Sequence, residues 1–209
     1  MSSASSTRAA TAPPKDKYEA LLHAALQLFV ERGFHGTAVP EVAKRAHVAA
    51  GTVYTYFPSK EALVNALYRK WKSALGQRVF TAFPVDATPQ KQFDVMWREM
   101  VAFALEHRDA FAFLELHHHA SYLDAESREL ENQLKDFAAA ALKRGQALGV
   151  LKKMDARVLM ELLFGAFVGL LRAHWEGRVK LGDVTLEHAR AAAWDLISTR
   201  KRPDLTDGG

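Results

Sequence analysis

Cysteine is absent from this 209-residue chain. That excludes a disulfide framework, a thiolate-held zinc or iron–sulfur centre and a cysteine nucleophile. Glycine (12) and proline (7) are scarce, which excludes collagen-like and linker-rich designs. Long hydrophobic runs are missing too. The longest, Val158 to Leu171, is interrupted by Glu161 and is shorter than the ~18 residues a membrane span needs. Residues 1–14 have no signal-peptide hydrophobic core and read as a disordered tail, and residues 204–209 as a second tail. Nothing argues for secretion or membrane insertion, so a cytoplasmic location is expected. No stretch alternates polar and apolar residues as a strand does.

What is present is ample apolar material, 49% of the residues, with 25% charged, enough for the core of one or two domains. The net charge of +4 is unevenly spread. Residues 1–72 carry ten basic and five acidic side chains, and the remainder carries 18 and 19. A basic first third on a near-neutral body suggests a polyanion-binding end.

The periodicity is helical almost throughout. Tyr18, Leu21, Leu22, Ala25, Leu28 and Phe29 recur at spacings of three and four, one face of a helix that Gly33 ends. Thr37 offers an N-cap for a short helix to about Ala46, with Pro40 tolerable in its first turn. A second short helix covers about Ala50–Tyr56. Pro58-Ser59 breaks the chain, and Ser59 caps a long helix reaching about Phe83. Further helices are predicted over roughly 89–107, 109–120, 124–148, 155–177 and 185–200, with Asp124, Asp155 and Thr185 as N-caps. The chain is thus expected to be all-α, with about nine helices.

The two short helices have helix-turn-helix spacing, in which one helix crosses the DNA backbone and the other enters the major groove. The second contains Thr52, Tyr54, Thr55 and Tyr56 and no Leu or Ile. Hydroxyls suit phosphates and base edges, and a Thr methyl suits thymine. Gly51 costs helix stability, which makes sense where the backbone approaches DNA closely.

The residues Gly33-Phe34-His35-Gly36-Thr37, Val42-Ala43-Lys44-Arg45-Ala46 and the run GTVYTYFPSKEAL from Gly51 to Leu63 strongly resemble the tetracycline-repressor (TetR) family. The resemblance is close over residues 16–65. It implies a three-helix DNA-binding domain, here 15–62, followed by a larger helical domain, 63–203, that binds a small molecule and dimerises. By this analogy Ala50, Gly51, Thr52, Tyr54, Thr55 and Tyr56 line the recognition helix. Thr37, Lys44, Arg45 and Lys60 lie near phosphates, while Val42, Ala43, Val53 and Phe57 form the small domain's core. Two departures stand out. His47 replaces the family's usual turn Gly, which requires a non-Gly residue at positive φ and adds a further phosphate contact. Ala49 replaces a frequent Ser, removing the N-cap of the recognition helix at a cost of ~1 kcal/mol.

In the second half, Trp97, Phe111, His118, Tyr122 and Phe164 are candidates for lining a ligand pocket between helices. Glu115 and His118 stand i, i+3 on one helix, as in di-iron bundles, but the chain offers no second such pair, so a metal site is not expected and neither is a cofactor. Gly165 and Gly169 allow close helix approach. With Leu186, Ala189, Trp194 and Ile197 they are assigned to a dimer interface built from the last two long helices, as the resemblance implies. The resulting expectation is a homodimeric repressor that binds a pseudo-palindromic double-stranded operator and is released by an unknown small-molecule inducer. The alternatives are a DNA-binding dimer without an inducer and a helical-bundle metalloenzyme using Glu115 and His118.

Overall fold

The computed structural model describes residues 15–116 and 121–199. The expected tails and His117, His118 and His119 lie outside these. Among the described residues the secondary structure is nine helices: α1 Lys15–Arg32, α2 Val39–Arg45, α3 Ala50–Tyr56, α4 Lys60–Ala82, α5 Pro89–Glu106, α6 Arg108–Leu116, α7 Ala125–Ala147, α8 Ala156–Trp175 and α9 Asp183–Ile197. One isolated antiparallel bridge joins Leu151 to Ser198.

Local chemistry accounts for most boundaries. Gly33 ends α1 at φ 71°, its N–H donating to the Phe29 carbonyl at 2.8 Å, because glycine enters the left-handed region without Cβ strain. Ser59 Oγ accepts the Ala62 N–H at 3.1 Å and starts α4. Thr88 does the same for α5 with Pro89 behind it, Asp124 for α7 and Asp155 for α8. These side chains supply partners for amides that have none within the helix.

Two expected caps are corrected. The N-cap of α2 is Ala38, one residue beyond Thr37, and the Glu41 carboxylate accepts the Ala38 N–H at 3.2 Å. Helix α9 starts at Asp183 with Gly182 as its N-cap, so Thr185 lies inside the helix.

The first three helices pack around Leu21, Leu28, Val42, Ala43, Val53 and Phe57, all buried. Helix α4 leaves this cluster and becomes the central strut of the larger bundle, where it meets α5, α6 and α7. Arg78 of α4 bonds Glu99 and Glu106 of α5, and Arg69 of α4 bonds Asp124 at the head of α7. Helices α8 and α9 close the far side, α8 on α7 and α9 on both α8 and α5. The apolar core runs without a break from Leu21 to Ile197.

Candidate nucleic-acid interface and ligand cavity

Helix α3 turns Val53 inward and leaves Ala50, Gly51, Tyr54 and Thr55 facing out. Tyr54 is 54% exposed. A Cβ built on Gly51 would meet nothing within 4 Å, so the glycine answers to no intramolecular crowding. Thr55 donates its hydroxyl back to the Gly51 carbonyl at 3.3 Å. Thr52 and Tyr56 are half-buried, and the Tyr56 ring lies 6.2 Å from Tyr18 of α1 and 6.4 Å from Phe57. These aromatic contacts seat α3 against α1.

The turn before α3 carries His47 at φ 55°, the one non-glycine residue at positive φ among those described. As the sequence suggested, Ala49 gives α3 no side-chain cap. Lys44 and His47 are exposed.

Other basic groups are already engaged. Arg45 forks onto Glu31 of α1 at 2.6 and 3.0 Å. The Arg45 hydrogen bond holds the Glu31 carboxyl below its ordinary range against the opposing effect of burial. Lys60 sets its ammonium 4.3 Å from the centre of the Phe34 ring, a cation–π contact.

Thr37 departs from expectation. It is 2% exposed, and its hydroxyl donates to the carbonyls of Gly33 at 2.9 Å and Leu28 at 3.1 Å. It closes the C-terminus of α1 and does not reach the outer surface.

A cavity of about 350 Å³ lies between α4, α5, α7 and α8, with Glu115 reaching it from α6. Its walls are mainly apolar, with Val79, Phe80, Met96, Trp97, Met100, Phe137, Met160, Phe164 and Phe167 among them. Trp97 and Phe164 are therefore among its walls. Phe111 is not: it is fully buried behind Phe167 and Trp175, with ring centres 5.8 Å from each. Tyr122 is not either, since its ring stacks on Phe34 at 4.2 Å. His118 lies outside the described residues.

The cavity's polar lining is Lys72, Glu115, Glu131, Lys135 and Glu161. Lys72 of α4 and Glu115 of α6 form an ion pair at 3.0 Å, with side chains only 12% and 10% exposed. Glu115 is thus committed to a lysine. Among the described residues no three His, Asp or Glu side chains converge to hold a metal ion. Tyr68 is buried one turn before Lys72. Burial, with Glu131 and Glu115 nearby, pushes its phenol above the usual range.

Residues 21–67 match the family described as bacterial regulatory proteins, tetR family, and residues 68–199 match the tetracyclin repressor-like C-terminal domain. The chain belongs to the TetR family. It is a transcriptional regulator with a DNA-binding domain.

Relatives agree with the TetR assignment. The fatty acid metabolism regulator protein of Bacillus subtilis is 27% identical over 154 residues, 72% of this chain and 79% of that protein. A TetR family protein from Vibrio parahaemolyticus superposes with a TM-score of 0.71 at 30% identity, covering 88% of this chain and all of that one (100%). The regulator YuxN of Bacillus subtilis is 31% identical over 99 residues, 46% of this chain, but only 33% of its own length is spanned.

The surface of α8 and α9 also departs from expectation. Ile197 is 1% exposed and belongs to the protomer's own core. Trp194 packs on Phe93 at 5.4 Å between ring centres, and Leu186 and Ala189 rest against the same core. The exposed residues of α9 are instead Asp183, Val184, Glu187, His188, Ala191, Ala192 and Asp195. On α8, Gly165 and Gly169 do face out, in one exposed stripe with Val158, Leu162 and Ala166. No helix among the described residues is long and apolar enough to cross a membrane.

Signals that sequence reasoning missed lie at the seam between the two parts. Phe29 of α1 stacks on Phe113 of α6 at 6.1 Å. Asn65 donates to the Tyr122 carbonyl and accepts the Asp124 N–H, at 2.8 and 2.9 Å. A buried Asn in an otherwise apolar helix face was the one available hint.

Proposed function

We propose that this TetR regulator is a homodimeric repressor whose hold on a pseudo-palindromic operator is released by a small, largely apolar molecule in the α4–α8 cavity. The DNA reader is α3, presenting Ala50, Gly51, Thr52, Tyr54 and Thr55 to base edges and phosphates, with Lys44 and His47 beside it and Tyr56 seating it. Arg45, held by Glu31, and Lys60, seated over the Phe34 ring, flank the groove. The exposed stripe on α8 with Val184, Ala191 and Ala192 of α9 forms the dimer face.

The observation that carries the reading is the shared walls of the cavity. Helices α4 and α6 line it and also pack on α1 of the DNA-binding part. A ligand that prefers one spacing of α4 and α6 shifts the population between dimers whose recognition helices match successive major grooves and dimers whose helices do not. The division at residues 15–62 and 63–203 then falls inside α4, which transmits the change as a rigid rod.

The test is operator selection from a random duplex library, followed by a thermal-shift panel of small apolar compounds. At least one compound is expected to raise the melting temperature and free the operator, and both effects are expected to vanish in Met100→Trp, which fills the cavity. Operator binding unmoved by a compound that occupies the cavity would point to a dimer without an inducer.

A further inference from the structure

The cavity is polar at one end and apolar at the other. The polar end is the Lys72–Glu115 pair. About 12 Å further along α4, eight residues at 1.5 Å each, the walls are Phe80 and Phe137, whose rings meet edge to face at 4.5 Å. Met96 and Met160 separate this end from a second void of about 50 Å³ under Trp194. Methionine side chains swing at little cost, so the apolar end can lengthen.

The charges at the polar end cancel. Lys72 holds Glu115, and Glu131 holds Lys135 at 2.9 Å. Glu161 stands in solvent at the rim, where water screens it. A charged head placed against the buried pair loses its own hydration and meets one member of like sign: an anion meets Glu115, a cation meets Lys72. A neutral head escapes this. The Lys72 ammonium has three N–H donors; one is given to Glu115 and the group lies 5.7 Å from the Tyr68 ring centre, so three donors exceed these two contacts and a carbonyl oxygen can accept the remaining one.

Resting on the inducer reading above, we infer that the ligand is an uncharged amphiphile: a straight apolar tail of about ten carbons, the length that C–C bonds of ~1.5 Å, each advancing ~1.25 Å in an extended zigzag, fit into this span, ending in an amide, ester or thioester carbonyl. The carbonyl accepts from Lys72, an amide N–H donates to Glu115, and the tail runs along α4 to Phe80 and Phe137.

The experiment is calorimetric titration of the full chain with three probes of one tail length: decanamide, decanoate and decylamine. Decanamide is expected to bind about tenfold or more tighter than either charged probe. In Glu115→Gln the uncompensated Lys72 is expected to bring decanoate ahead of decanamide. In Lys72→Gln the uncompensated Glu115 is expected to bring decylamine ahead. Where a single variant fails to fold, the double variant Lys72→Met, Glu115→Met removes both hydrogen-bonding partners together and is expected to weaken decanamide about tenfold, while the charged probes stay weaker still because a charge buried without a partner costs more than a neutral amide. A charged probe that binds wild-type protein as well as decanamide does, a ranking the single variants leave unchanged, or decanamide binding the double variant undiminished, overturns the neutral-head inference and leaves the cavity reading standing. Failure of all three probes to bind overturns the inference as well, while the wider compound panel with Met100→Trp judges the cavity reading separately.

Discussion

Phe34, in the turn after α1, stacks face to face on Tyr122, just before α7, with ring centres 4.2 Å apart and planes tilted by 20°. The two are far apart in sequence and belong to the two halves of the molecule. With Lys60 above the Phe34 ring, they join the first three helices to the start of α7, the helix that walls the cavity from Glu131 onward. An aromatic pair of this kind contributes ~0.5–1.5 kcal/mol beyond its buried area. Phe34→Leu and Tyr122→Leu are each expected to lower stability, and their double-mutant cycle in urea is expected to return a coupling of about 1 kcal/mol. A coupling near zero would mean that the rings are merely adjacent.

Tyr54 is the large exposed side chain at the centre of α3. Tyr54→Ala is expected to leave circular dichroism and melting temperature unchanged. Operator affinity is expected to fall by ~1–3 kcal/mol per protomer, the usual worth of a lost groove contact. The neighbouring Val53→Ala acts differently: Val53 is buried, so stability falls first. Gel shift alongside circular dichroism separates the two, and full affinity in Tyr54→Ala would remove α3 from the groove.

Gly51 has open space around it and sits inside a helix. Gly51→Ala is expected to stabilise the protein by ~0.5–1 kcal/mol, the helix-propensity gain, while weakening operator binding because the added methyl stands where the DNA backbone approaches. Opposite signs in the two assays are the signature. A gain in both would show that α3's backbone stays away from the duplex.

Leu162 is 49% exposed in the α8 stripe, whereas Ile197 is in the core. Leu162→Glu is expected to yield folded monomers by sedimentation, since an unpaired charge is costly at a buried interface. Ile197→Glu is expected to unfold the protomer itself. A dimer that survives Leu162→Glu places the interface elsewhere.

Several carboxyls lie below their ordinary values in the folded chain. For Glu31 and Glu106 the largest cause is the hydrogen bond from Arg45 or Arg78, for Glu99 the bond from Arg78, and for Glu41 the Ala38 N–H followed by Arg32. In Asp124 burial raises the carboxyl, but the Ser127 N–H and Arg69 outweigh it. A group depressed on folding adds stability above its unfolded pKa and loses it as pH falls through the folded one. Stability is therefore expected to be flat near neutrality and to fall below the ordinary values of 4.5 for Glu and 3.8 for Asp. Urea midpoints measured from pH 7 to pH 3 check this, and Glu99→Gln is expected to shallow the acid fall. Stability rising into acid would reverse the sign.

Features set by neighbours in the chain were legible in the residues alone. The Ser59, Asp124 and Asp155 caps and the Gly33 stop all depend on a few consecutive side chains and the backbone angles these permit. The His47 turn, the uncapped start of α3 and its outward Tyr54 and Thr55 followed from the resemblance to the TetR family, which also counted Tyr56 among the recognition residues although its ring lies against Tyr18. Features set by distant partners were not legible. Helices α8 and α9 are apolar or small on more than one side, so periodicity could not say which side meets the protomer's own core. Packing against Phe93 turned Trp194 inward, and Ile197 with it, leaving Val184 and Ala191 outside. The fate of polar groups followed the same rule. Thr37 spends its hydroxyl on α1, Arg45 is taken by Glu31, and Lys72 meets Glu115 across two helices, because the partner of a buried charge or hydroxyl is whatever folding brings within about 3 Å of it.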